Sequence, residues 1–161
     1  NKEATDYYLL MSMVKRYRDN DYQSALSFAE QGITVLRESS GGESFVIQYG
    51  TPLIMQKGLN YIMLGVRDNA IDTINLCCYY LSQIQIDDYG STMISTVPEA
   101  WEICALAALD AGDTETYETM EENYKLETTA ETEVHNELLA DYKAGTKTLK
   151  DIASSRRYDL V

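Results

Sequence analysis

The chain has 161 residues, with 13 basic and 26 acidic side chains and a formal net charge of −13. That length suits a single domain whose core needs no disulfide or metal staples, and an apolar share of 45% excludes a largely disordered chain. So acidic a surface repels phosphate backbones, which argues against nucleic acid as a partner.

Two prolines and few glycines favour long uninterrupted helices over strands and turns. No apolar run reaches the roughly 18–20 residues that span a bilayer, and no signal-peptide pattern opens the chain. A start at Asn1 rather than Met leaves room for a removed leader or anchor. Three cysteines, Cys77, Cys78 and Cys104, are an odd number in apolar surroundings and read as small buried hydrophobes. Free thiols point to a reducing compartment such as the cytoplasm, though an anaerobic exterior would tolerate them.

In chain order, residues 3–18 form a first helix, with Tyr7, Leu10, Met11, Val14 and Arg18 at three- and four-residue steps. Asp21 caps a second helix, whose apolar face is Ala25, Leu26, Phe28, Ala29, Ile33 and Leu36. Residues 43–50 read as a packed loop or short helix. Thr51-Pro52 opens a helix to about Leu64, Gly65 breaks it, and Asp68 or Asn69 caps the next, through Leu81. The connector 85–97 reads as a turn and an extended stretch. Pro98 opens a helix to Ala111, Gly112 takes a left-handed cap, and Asp113 or Thr114 starts another helix to Tyr124. A helix over 131–143 and a short one over 148–155 close the chain, and the tail 156–161 is expected to fray.

These helices form hairpins over 3–37, 51–83 and 98–125, with capping helices over 131–155, in one domain covering 1–161. Aligning the hairpins by their turns brings Met13, Gly58 and Ala105 together, and likewise Leu9, Ile54 and Trp101. Asn20, Gly65 and Gly112 coincide at the turn, and Ala25, Ala70 and Tyr117 in the second helix. Small positions facing large ones let antiparallel helices approach closely.

The pattern resembles the tetratricopeptide repeat, a helical hairpin of about 34 residues with such small and large positions. The best matches are Trp101, Ala105, Gly112 and Asp113; Gly58, Tyr61, Gly65 and Ala70; and Asp21, Tyr22 and Ala25. Departures are the longer spacing, the missing inter-repeat proline, and Lys57 and Arg16 at positions usually apolar. The resemblance implies an all-α fold of antiparallel hairpins stacked in a right-handed superhelix. It also implies a concave groove lined by the first helix of each hairpin. The residues that would line it are Tyr7, Leu10, Val14, Tyr17 and Arg18, then Met55, Leu59, Ile62 and Met63, then Glu102, Leu106 and Asp110.

Nothing in the sequence assembles catalytic chemistry. His135 is the only histidine, Glu131 four residues earlier gives at most a two-ligand metal site, and a surface histidine is expected. No Gly-x-Ser-x-Gly elbow or phosphate-cradling glycine loop occurs. Asp87-Asp88 and Glu121-Glu122 are adjacent pairs that read as solvated charge. Thirteen tyrosines against two phenylalanines suit repeat cores and recognition grooves alike. Residues 99–141 hold thirteen acids and one base, Lys125: a solvated face, or a surface for a basic partner. The expectation is a non-catalytic scaffold, without cofactor, that holds a protein or peptide partner with apolar anchors and some positive charge. An extracytoplasmic or lipoprotein-type domain binding a ligand or glycan is one alternative. A hydrolase or metalloenzyme using His135 is a second, and a structural spacer or homo-oligomer a third.

Overall fold

The computed structural model describes residues 2–86, 97–127 and 132–161, and every regular element among them is a helix. Of the connector 85–97, expected as a turn and an extended stretch, Gln85, Ile86 and Val97 are helical, because the flanking helices run further than their breakers suggested; residues 87–96, with the Asp87-Asp88 pair, and Glu131 lie outside the described residues. Helix α1 (Lys2–Tyr17) packs along α2 (Tyr22–Arg37), α4 (Thr51–Leu64) along α5 (Arg67–Ile86), and α6 (Val97–Asp110) along α7 (Thr114–Glu127). Turns this short leave only an antiparallel arrangement within each pair. The pairs meet in chain order, α2 against α4 and α5 against α6. The ambiguous stretch after the second helix is a short helix, α3 (Glu43–Tyr49), with Val46 in the core.

The hairpin turns share one backbone device. Asn20, Gly65 and Gly112, aligned from the sequence, have φ of 50°, 77° and 75°, all left-handed. At the latter two the following N–H closes back on the helix, Val66 to Tyr61 and Asp113 to Ala108, each at 2.9 Å, which satisfies carbonyls the helix end leaves orphaned. Asp21 and Asp113 then cap the next helices, accepting from the backbone N–H groups of Ser24 and Thr116 at 3.1 Å.

Gly58 sets the separation of α4 and α5. A Cβ there would lie 2.4 Å from Ile74 Cγ1, at the root of a fully buried branched side chain. Gly58→Ala therefore pushes the two helices apart and should lower stability by about 1–3 kcal/mol, read as an earlier urea midpoint with unchanged m-value.

Helix α4 is the hub of the core. Leu53, Ile54, Met55, Gln56, Gly58, Leu59, Asn60 and Ile62 are all buried, because α1, α2, α3, α5 and the C-terminal segment surround it. The two polar side chains among them are hydrogen-bonded, Gln56 to Arg16 and Asp159, and Asn60 through its Nδ2 to the Gln56 carbonyl. The three cysteines are buried as expected, and burial pushes the Cys77 and Cys78 thiols well up.

The C-terminal region departs from expectation. Helix α8 (Thr132–Lys143) leads to α9 (Leu149–Ala153) and a closing 3-10 turn over Arg156–Asp159. The tail does not fray: Tyr158 and Asp159 are fully buried, and α9 and the 3-10 turn lie against both α4 and α6. Thr148 and Asp151 form a reciprocal capping box that starts α9, and Leu149, Ile152 and Ala153 join the core. Burial of those three apolar side chains and the Tyr158 ring holds the segment in place.

Candidate functional site

Helices α1, α4 and α6, on which the sequence placed a groove, are bridged by the chain's own C-terminal segment. Two buried polar clusters join them. At the first, Asp159 accepts hydrogen bonds from Arg16, from Gln56 Nε2 at 2.6 Å and from Tyr17 Oη at 2.7 Å. Arg16 also donates to Gln56 Oε1 at 3.0 and 3.2 Å and to the Ala153 carbonyl at 3.4 Å. Its guanidinium lies 4.2 Å from the centre of the Tyr17 ring. Arg16 and Asp159 are a buried ion pair bridging the first helix and the last turn. Burial and the bond to Asp159 push the Tyr17 hydroxyl up to about 12.

The second cluster centres on Glu102, which is fully buried. One of its oxygens accepts from the Tyr158 hydroxyl and, at 2.9 Å, faces Arg157 Nη2. The other lies 2.8 Å from His135 Nδ1, and His135 Nε2 lies 2.6 Å from Glu121 Oε1. The Tyr124 ring stacks on the imidazole at 4.0 Å. Burial pulls the ring's pKa down, but the bonds and charge of Glu102 and Glu121 outweigh it and push it up to about 9.

This overturns two sequence expectations. His135 is 1% exposed rather than at the surface, and Glu121 is its partner rather than a solvated charge. With a carboxylate on each nitrogen and a ring across its face, His135 is held as a structural imidazolium and has no nitrogen left for a substrate. Among the described residues, no three His, Cys, Asp or Glu side chains are placed to hold a metal ion. None of the described helices is long and apolar enough to cross a membrane.

The groove residues divide along the face. Met55, Leu59, Glu102 and Leu106 are fully buried, because α4 and α6 are covered by the C-terminal segment and by neighbouring helices, whereas Ile62, nearly buried, borders with Asp110 a cleft of about 300 Å³ beside Thr148 and Leu149. Met63 is half-buried beside Ser154, at 3.9 Å from its hydroxyl. Asp110 is half-buried and accepts from the Tyr142 hydroxyl at 2.8 Å. At the α1 end the face opens. Tyr7 and Leu10 are 52% and 60% exposed, Val14 is half-buried, and Arg18 is exposed and paired with Asp19 at 2.8 Å. Tyr17 is half-buried, tied to Asp159.

Beside this open end lies a cleft of about 530 Å³ that no motif announced. Leu9 of α1, Leu36 of α2, Phe45 and Tyr49 of α3, and Pro52 and Leu53 of α4 supply its apolar walls, and Val161 reaches its edge. Its signal in the sequence was the apolar cluster in the stretch 43–50, Phe45-Val46-Ile47 and Tyr49, next to Pro52.

Compared with known proteins, the chain matches no family model, no curated protein and no solved structure.

Proposed function

We propose that this chain is a tetratricopeptide-like helical-repeat scaffold, a right-handed superhelix of three hairpins with C-terminal capping helices. It is non-catalytic and holds a protein or peptide partner. The internal repeat supports the architecture: three hairpins in chain order, each turned by a left-handed residue at the same aligned position. One observation carries the binding role. The inner face already takes a peptide segment in cis, by burying Tyr158 and by pairing two of its charges, Asp159 with Arg16 and Arg157 with Glu102. The part of that face left open, at α1, is where a partner in trans docks. Apolar side chains at three- and four-residue steps, Tyr7, Leu10 and Val14, suit an extended or helical segment.

A displayed random-peptide library selected against the whole chain tests this. Enriched peptides should react with a photo-crosslinking residue placed at Tyr7, and not with one placed at Tyr79, which is as exposed but lies on α5. A library that yields no binder to the folded chain, or adducts only at Tyr79, sinks the reading.

A further inference from the structure

We propose that the cleft between α1, α3 and α4 is a specificity pocket for a peptide that presents a bulky apolar side chain with a lysine or arginine next to it. The inference rests on the scaffold reading above and names the chemistry of the partner.

The cleft has the size and lining of a side-chain pocket. Its roughly 530 Å³ falls inside the range of small-ligand sites, and its floor is already dry, since Leu36 and Leu53 are almost fully buried. Its walls come from four helices, so the shape is set by the fold and not by one mobile loop. Phe45 and Tyr49 meet edge to face at 5.7 Å, which fixes both rings at the mouth. A flat aliphatic patch would accept any apolar group. A recess walled by two oriented rings favours a large planar or branched side chain, which fills it and keeps the rings in contact.

Charge decides what stands beside that anchor. The charged side chain among the described lining residues is Asp6, exposed at the rim of α1. It makes no hydrogen bond or ion pair within the described structure, whereas the acids of the buried clusters are all matched. At the mouth Asp6 therefore favours a cation beside the anchor and disfavours a carboxylate there. Gln48, also at the rim and exposed, offers an amide for the peptide backbone between anchor and cation. The apolar anchor supplies affinity, and Asp6 supplies the choice between basic and acidic neighbours.

Three fluorescein-labelled peptides in a glycine-serine frame test this by polarisation against the full chain, with Trp-Lys, Trp-Glu or Ser-Lys at the centre. The Trp-Lys peptide should bind at least tenfold more tightly than either of the others. Asp6→Lys, at an exposed position with no role in the core, should reverse the order of Trp-Lys and Trp-Glu. Leu9→Trp should fill the cleft and abolish binding of all three. Amide shifts on titration should centre on Leu9, Phe45, Tyr49 and Leu53. Equal binding of the three peptides, no reversal with Asp6→Lys, or shifts centred elsewhere overturns the pocket. If library peptides crosslink at Tyr7 while the Trp-Lys peptide does not bind, the pocket falls and the scaffold reading stands. If no peptide of any kind binds, both fall.

Discussion

Asp159→Ala should destabilise the whole domain by about 3–5 kcal/mol, the range expected when one partner of a buried ion pair is removed. Asp159 lies in a four-residue 3-10 turn outside the long helices, so the size of the effect is the informative part. The reason is what it leaves behind. The Arg16 guanidinium would stay buried, with only Gln56 Oε1 and the Ala153 carbonyl to accept from it. Gln56 Nε2 and the Tyr17 hydroxyl would each lose their acceptor. For a domain of this length that corresponds to a fall in Tm of roughly 6–20 °C. The paired change Arg16→Met with Asp159→Leu removes both charges and should recover most of the loss, because a buried pair is seldom better than well-packed apolar residues. Urea denaturation of the parent and these two variants gives the comparison. A single-variant loss under about 1 kcal/mol would mean that the C-terminal turn is not seated on the inner face in solution.

The helices and their turns were legible because their causes are local. A proline at the first turn, an aspartate cap, a glycine with positive φ and three- to four-residue apolar spacing act within a few positions. The alignment of Asn20, Gly65 and Gly112 already contained the left-handed backbone that the structure shows at all three. The seating of the C-terminal turn was not legible, because it depends on contacts across 103 to 143 residues, from Gln56 and Arg16 to Asp159. Arg16 did give a local sign. It breaks the apolar pattern of its position, and a charge there needs a buried partner. Only the fold could name Asp159. His135 misled for the same reason: its neighbours in sequence are acidic and exposed, while the carboxylates that hold it come from α6 and α7. The cleft beside α1 was hidden because 43–50 shows neither helical nor strand periodicity over enough residues to reveal which side chains share a face.

Stability should fall on the alkaline side, between about pH 6.5 and pH 9, and His135 should be the cause. In the unfolded chain the ring has its ordinary pKa of 6.5; in the fold Glu102 and Glu121 hold it up to about 9. A raised pKa stabilises the fold fully below the unfolded value, and the contribution fades as the pH climbs through that interval to the folded value. Its full size is on the order of 3 kcal/mol, from the separation of the two values. The tyrosines and cysteines whose protons the fold holds more tightly keep them through that window. Tyr158, on the same Glu102, is pushed far above its ordinary value by burial and by the Glu102 charge, so it stays a donor throughout. Tyr17, Tyr80 and Tyr142 lose their protons only near 12, and the buried Cys77 and Cys78 thiols are held well up. Urea unfolding at intervals from pH 6 to 9.5 should therefore show a decline that His135→Ala removes. That variant should also be weaker than the parent at pH 6, since Glu102 stays buried with one partner fewer and Glu121 loses its contact. Loss of the imidazolium loosens the carboxylate that anchors Tyr158 and Arg157, so protection factors at 156–160, taken against the intrinsic exchange rate at each pH, should fall before those of the core helices. A parent curve that is flat to pH 9 would mean that the ring is neutral in the fold and that the tail is held by packing alone.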